Sequence, residues 1–590
     1  MGKILISNNK EWNESLRYIF SNNGLKESYH DSLVTVYKKR YVECENIYLS
    51  GNEYLILTGT WAYNSLPRKK QLEMMFAELK RGKDIKVLRN EIVGTFALVV
   101  KIGEEITVCV DANHTYALYY YINGNNFLIT NTNYHLEIMA KQEMDVRVFS
   151  TQLAKNGLNS NRTPYKNIYR LFENTIIKYN INTNTTSTIS SEYSEDIYNI
   201  KGEKEATDIL SKSTEEIYSL LNKNINSNFI FLTGGIDSRL MLSLDTYFNK
   251  KVRIGYWKGS DSLTNGTKED EKVNKLVANA LNIQTNIFDV SMPFQECLNN
   301  ISIEKCNRYG EYVSIYGNNE KWFNIFNELS SMGVEKVDFG YTPDILKGID
   351  SLDSTYAFPY NIMKLSQDVC LRSGIFKEAL HYDDIANLIK EDVEMSPMYD
   401  PEEKIDLARA SLIFNYSRLD MGVTLCNFVN EYFYSYPLFY EKKIWDIVSS
   451  IPYEYKNKGI ISSMLIEKWN KKLLDIPIYS QRHYLKYDKN SHILKSNALY
   501  YLMKRLQPYI IKTKFYDLLF TKVLEPLLYA HNKGNDELLT ICNTELDKSP
   551  SFSQTSIKIN SNVKPKGFDL AGYCELVAKC KCMDNVLCQM

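Results

Sequence analysis

Neither sign of charge prevails in this 590-residue chain: 70 Lys and Arg stand against 71 Asp and Glu, a formal charge of −1. The basic excess by which nucleic-acid binders usually show themselves is therefore missing. No apolar run reaches the roughly 18 residues of a membrane-spanning helix, so no membrane association is expected. The opening Met1-Gly2-Lys3-Ile4-Leu5-Ile6-Ser7 has too short an apolar stretch for a signal peptide, and Ile6 stands where a myristoylation signal needs Ser or Thr. A cytoplasmic location is the expectation. Eleven cysteines are present, but there is no C-x-x-C pair and no histidine beside the terminal group Cys574, Cys580, Cys582 and Cys588. The zinc-site pattern is thus absent, leaving reduced thiols on a terminal helix or tail as the simpler reading. Cys588 lies one place short of a prenylation box. The phosphate-binding G-x-x-x-x-G-K-[ST] loop is missing too.

What is there reads as globular: 44% of residues are hydrophobic and 24% charged. The length predicts about three or four domain-sized units. Over 1–190, short β-branched and aromatic runs such as Tyr54–Thr58, Gly94–Val100, Glu105–Val110 and Phe127–Thr130, with the turn Asn123-Gly124-Asn125, predict antiparallel hairpins. Leu72, Met75, Phe76 and Leu79 predict a helix over 69–81. Residues 191–205 are polar and unpatterned, the texture of a linker. From 206 to 480, strands alternate with helical patterns, which predicts a parallel α/β sheet, mainly helical beyond about 400. Residues 481–590 read as a helical, basic extension. Its 481–534 stretch holds ten Lys and Arg against three Asp and Glu, which keeps nucleic acid as a minor alternative partner.

The chemistry concentrates at Asn228-Phe229-Ile230-Phe231-Leu232-Thr233-Gly234-Gly235-Ile236-Asp237-Ser238-Arg239. An apolar strand runs into a Gly-Gly turn flanked by hydroxyls, and a helix follows at once. That order aims backbone N–H groups and a helix N-terminus at one point, an anion site. Glycine lets a phosphate approach the backbone, and Asp237 suits a magnesium ion bridging phosphates.

The string Thr233-Gly234-Gly235-Ile236-Asp237-Ser238 resembles the S-G-G-x-D-S pyrophosphate loop of the N-type ATP pyrophosphatases, departing only in Thr for the first Ser. Lys251–Trp257, with Gly255, resembles the second strand, on which that superfamily lays adenine. Asp270 with Val277–Leu281 matches a helix pattern of asparagine synthetases. Gly333–Gly348 is similar to their second loop, G-I-x-V-V-L-S-G-E-G-A-D-E-L-F-G, with Gly340 and Asp344 on the matching glycine and aspartate. The resemblance implies ATP and Mg2+ as cofactors, with the metal on Asp237 and Asp344 and the nucleotide against Thr233, Gly234, Gly235, Ser238, Gly255 and Gly340. Tyr341 replaces the glutamate of asparagine synthetases, as in β-lactam and carbapenam synthetases, where the tyrosine deprotonates an amine. Glu378 is the candidate partner for that phenol, with Asp383 and Asp384 competing; an aromatic loop residue without chemistry is the alternative for Tyr341. Ser462 falls near the place of the family's charge-neutralising lysine. Lys458 or Lys456 could act from the same loop, or be plain surface charges. Pro437-Leu438-Phe439-Tyr440 stands where the family has P-F-L-D.

The first domain also resembles that family, whose N-terminal unit is an Ntn-type glutaminase: Asp111-Ala112-Asn113-His114-Thr115-Tyr116-Ala117-Leu118-Tyr119-Tyr120 keeps the spacing of D-P-x-G-x-x-P-L-Y-Y. The glutaminase nucleophile is a cysteine at position 2; here that residue is Gly2. The expected architecture is an Ntn-type antiparallel β-sandwich with helices, followed by a parallel-sheet ATP pyrophosphatase domain with a mainly helical end. The expected activity is an ATP-dependent, AMP-forming amide synthetase. It would join a small-molecule or peptide carboxylate, a precursor peptide among the candidates, to an amine not made from glutamine in cis, with intramolecular cyclisation of a peptide or amino-acid derivative as one form of the reaction, in keeping with Tyr341 and Gly2. Ammonia-dependent asparagine synthesis and a catalytically decayed ATP-binding scaffold are the alternatives. An oligomer is compatible with all three.

Overall fold

The computed structural model describes residues 2–155, 157–190, 196–258, 268–310, 319–340, 345–347, 361–366, 382–456, 459–480, 483–490, 493–495, 535–555 and 568–589. The N-terminal part is a sandwich of two six-stranded antiparallel sheets. The first runs Ile168–Arg170, Tyr119–Asn123, Asn126–Thr130, Ile4–Ser7, Val34–Tyr37, Glu27–His30. The second runs Thr185–Ser190, Thr175–Asn180, Glu105–Val110, Val93–Ile102, Glu53–Ala62, Ile47–Ser50. Alternation along each strand decides the layers. Ile4, Ile6, Val34 and Val36 meet Tyr54, Ile56, Val99 and Val108 between the sheets. The intervening residues Leu55, Leu57, Leu98 and Cys109 face outward and bury Leu72, Met75 and Phe76, all on the helix Arg68–Lys80. The expected 69–81 helix and the antiparallel hairpins are both present. In the turn between Tyr119–Asn123 and Asn126–Thr130, Gly124 takes a positive φ of 57°, a conformation that glycine adopts without a steric cost.

The helix Glu203–Leu221 begins within the stretch read as a linker and leads into a four-stranded parallel sheet. Its spatial order is Thr285–Asp289, Lys251–Lys258, Ser227–Phe231, Lys336–Phe339. Ser227–Phe231 is buried along its length, as a central parallel strand covered on both faces must be. The chain goes outward from it in one direction through two strands, then returns to its other side. The crossover therefore lies between Ser227–Phe231 and Lys336–Phe339, and the crevice beyond their carboxyl ends is where open α/β sheets bind ligands. The helix Ile236–Tyr247 leaves the first of these strands and packs against Ile460–Asn470.

At the other end of the same two strands lies a buried charged cluster. Lys336 Nζ sits 2.7 Å from Asp338 Oδ2 and 3.7 Å from Asp245 Oδ1, with all three side chains sealed from solvent. Asp245 also accepts from the Tyr218 hydroxyl and from Asn228 Nδ2. This cluster ties the strand Lys336–Phe339 to the helix that follows the Gly-Gly loop.

The stretch from 478 departs from a purely helical extension. Ile478–Ser480, His483–Asp488 and Ile493–Lys495 form a three-stranded antiparallel sheet, because Leu485 and Tyr487 alternate onto the core and the Tyr487 hydroxyl donates to Glu467. The terminal cysteines do lie on a helix, Phe568–Gln589. Among the described residues no helix is long and apolar enough to cross a membrane.

One buried imidazole gives the fold a pH dependence. His135, fully buried on the helix Asn133–Ala140, holds Nε2 at 2.8 Å from the Asn307 carbonyl. Burial first, and then the nearby Lys3 cation, push its pKa down to about 3. The unfolded chain binds this proton near 6.5 and the folded chain does not, so the contribution is present above pH 6.5 and is lost as pH falls toward 3. Between pH 7 and 5 the loss is about 2 kcal/mol. Urea midpoints of the wild type and His135→Gln should show the wild type losing more over that interval; equal losses would count against the buried neutral ring.

Candidate functional site

Backbone pairing carries the central strand to its end, where Leu232 N–H donates to the Gly255 carbonyl at 2.8 Å. The loop beyond it is held by its own hydroxyls: Thr233 N–H donates to Ser238 Oγ at 3.1 Å, and Gly235 N–H to Thr233 Oγ1 at 3.3 Å. Asp270 clamps it from the neighbouring helix, accepting Gly234 N–H on Oδ1 at 2.7 Å. Tyr479 closes the far side with its N–H on the Gly234 carbonyl at 2.9 Å. No side-chain cap closes the helix Ile236–Tyr247, whose N-cap is Gly235. The N–H groups of a first turn have no carbonyl partner inside the helix, and the dipole adds positive potential there. This helix end has positive potential and no side-chain cap, with Asp237 in its first turn.

The glycines are required by close approach. A Cβ on Gly340 would lie 2.5 Å from Ser238 N, and one on Gly234 would lie 2.8 Å from both Asp270 Oδ1 and Tyr479 Cβ. The structure thus brings together Thr233, Gly234, Gly235, Asp237, Ser238 and Gly340 at the crossover. Gly255 has a different reason to be glycine: a Cβ there would meet the Phe229 ring at 2.2 Å, and its carbonyl is taken by Leu232. Tyr341, Asp344, Glu378 and Lys458 lie outside the described residues. Lys456 is buried at the end of a short helix, Tyr453–Lys456, where burial lowers its pKa to about 8. Ser462 is fully buried in the first turn of Ile460–Asn470.

Two cations at the site escaped the sequence reading. Lys347 Nζ makes an ion pair with Asp237 Oδ2; its only sequence signal was a lysine in place of the phenylalanine of the second-loop motif. Arg239 is buried, donating to the carbonyls of Leu473 at 3.0 Å, Ile476 at 2.6 Å and Pro477 at 3.0 Å. Burial lowers its pKa to about 9. Arg239 thereby fastens the segment carrying Tyr479 to the loop helix. Asp237 already holds a cation at a helix N-terminus, so its carboxylate fits a role as Mg2+ ligand. Among the described residues no group of three or more His, Cys, Asp or Glu converges on a metal position.

At the N-terminal domain, Gly2 N–H donates to the Tyr37 carbonyl at 2.9 Å, and Asn131 Nδ2 donates to the Gly2 carbonyl at 3.1 Å. A Cβ at position 2 would lie 2.9 Å from Lys38 O and 3.4 Å from Glu431 O. The segment after the helix Leu407–Asn430 covers this corner: Arg40 N–H donates to Glu431 O at 3.0 Å, Tyr41 N–H to Tyr432 O at 3.1 Å, and Glu431 pairs with Lys3.

No protein-family model matches the chain, and no curated protein matches it either. Among solved structures it is similar to a glutamine-dependent NAD+ synthetase from Acinetobacter baumannii in complex with adenosine diphosphate. The identity is 13% over 32% of this chain and 33% of that one, so the chain spans about a third of that enzyme, with a TM-score of 0.18. It is also similar to a glutamine phosphoribosylpyrophosphate amidotransferase from B. subtilis complexed with ADP and GMP, at 10% identity over 61% of this chain and 94% of that one, TM-score 0.24. A third neighbour, an allosteric regulatory enzyme of purine biosynthesis, gives 10% identity over 57% and 89% of the two chains, TM-score 0.24.

Proposed function

We propose that this chain is an ATP-dependent, AMP-forming amide synthetase. The observation that carries the reading is the meeting of Thr233–Ser238 with Gly340 at the crossover of a parallel sheet, where Gly340 lies too close to the Ser238 backbone for any side chain. A triphosphate fits the uncapped end of Ile236–Tyr247, with Thr233 and Ser238 supplying hydroxyls and the first-turn N–H groups after Gly235 supplying donors. Asp237 would hold Mg2+, which neutralises charge on the phosphates when bound. A substrate carboxylate attacks the α-phosphorus, the bond to the β-phosphoryl oxygen breaks, and pyrophosphate leaves an acyl-adenylate. N–H donors fixed before the reaction stabilise the developing charge without reorganising. An amine nitrogen then attacks the acyl carbon, the C–O bond to the phosphate breaks, AMP departs, and the proton shed by the nitrogen passes to solvent.

The crowding at position 2 supports an amine that does not come from glutamine in cis. Gly2→Cys should yield no glutaminase, and fitting its Cβ against Lys38 O should cost about 1–3 kcal/mol. Ammonia release from glutamine and a urea titration measure the two; glutamine turnover by this variant would overturn the point.

Hydroxylamine trapping tests the acyl-adenylate. Incubated with ATP, Mg2+ and a panel of amino-acid and peptide carboxylates, the enzyme should form hydroxamate with at least one carboxylate, and only when ATP is present. ATP binding with no hydroxamate across the panel would instead favour a binding scaffold.

A further inference from the structure

We propose that Lys347, whose ammonium pairs with Asp237, is the phosphate-contacting cation of this site and reaches the β- and γ-phosphoryl oxygens of a bound nucleoside triphosphate. The inference rests on the reading of the crossover as a nucleotide site and names a residue for it that the sequence motifs do not. Three observations carry it.

The first is position. Lys347 lies near the end of the second-loop segment, and its ammonium pairs with Asp237 in the first turn of the helix Ile236–Tyr247. The second is how it is held. Ile345 and Leu346, immediately before it, are buried at 3% and 0% exposure, which fixes the backbone at the site. The Lys347 side chain itself is 35% exposed, and its flexible four-carbon stem can exchange one oxygen partner for another nearby. The third is that the other described cations named around the loop are committed elsewhere. Arg239 is spent on three backbone carbonyls, and Lys456 is buried at 3% exposure in a different helix.

Charge balance gives the pairing a purpose. A nucleoside triphosphate brings about four negative charges to a place already holding the Asp237 carboxylate, and a divalent ion cancels only two. The helix end supplies roughly half a unit more. A lysine there offsets part of the remainder.

Calorimetry with ATP, inorganic pyrophosphate and AMP, each in Mg2+, tests the assignment. Lys347→Met should weaken ATP and pyrophosphate about tenfold or more and leave AMP within about twofold, since AMP lacks the β- and γ-phosphates. Lys347→Arg should keep most of the affinity. A lysine that only neutralised Asp237 would give the opposite sign: its removal would free the carboxylate for Mg2+, and ATP would bind as well or more tightly. That outcome, with ATP binding lost in Asp237→Asn, overturns the role of Lys347 and leaves the nucleotide site standing. A wild-type chain that binds none of the three ligands overturns both. A thermal melt of Lys347→Met within a few degrees of the wild type shows that lost binding is not lost folding.

Discussion

Asp237→Asn is expected to lower carboxylate-dependent pyrophosphate release at least about a thousandfold, the scale on which preorganised charge at a phosphoryl centre acts. The side chain keeps its shape and loses its charge and one acceptor oxygen, so the effect reads the carboxylate directly. Asp237 is 15% exposed and sits in the first turn of Ile236–Tyr247, a position asparagine tolerates, so the unfolding free energy should fall by less than about 1 kcal/mol. The comparison is of kcat for pyrophosphate release beside the unfolding curve. A variant that retained a tenth of the wild-type rate would remove Asp237 from the chemistry.

Lys336→Met should destabilise the chain by about 3–5 kcal/mol, the usual result of removing one partner from a buried ion pair. Burial pulls the Lys336 pKa down, and Asp338, Tyr436 and Asp245 around it more than reverse that, so the ammonium is held charged. Its Nζ also lies over the Tyr218 and Tyr436 rings at 4.9 and 4.8 Å. Burial pushes Asp338 the other way, up to about 6, even with Lys336 beside it. Without the lysine, Asp338 and Asp245 would face each other with no cation between them. Lys336→Met combined with Asp338→Leu should recover part of the loss, because the orphaned carboxylate goes too. Urea midpoints of the two variants decide the matter: a single variant as stable as the wild type contradicts the cluster's role. Nucleotide affinity should fall with the stability, since the same cluster fixes the strand that ends at Gly340.

How much of this could be read in advance follows from the range of the contacts involved. The sandwich was legible because alternation is local: Ile4 and Ile6, or Leu55 and Leu57, declare their faces within one strand. Thr233–Ser238 was legible for the same reason, since strand, turn and helix N-terminus follow in one short run. Lys347 on Asp237 spans 110 positions, and no periodicity announces it. Lys336 and Asp338 stand as two charges in an otherwise apolar strand, and their partner Asp245 lies on the helix after the Gly-Gly loop. The nucleotide reading of Gly255 comes from the resemblance of Lys251–Trp257 to the superfamily's second strand; what approaches Gly255 is Phe229, from the next strand. The covering of the Gly2 corner by Glu431, which pairs with Lys3 across 428 positions, has no trace in either segment alone. The strands Ile478–Ser480, His483–Asp488 and Ile493–Lys495 were hidden by their shortness and by the basic texture of the stretch they open.

The most direct test of the central claim is the identity of the products. With ATP, Mg2+ and a carboxylate that supports turnover, phosphorus NMR should show AMP and pyrophosphate rising together, in equal amounts, with the amide. ADP and inorganic phosphate in their place would mean attack at the γ-phosphorus, and the assignment of Thr233–Ser238 as a pyrophosphate loop would be wrong.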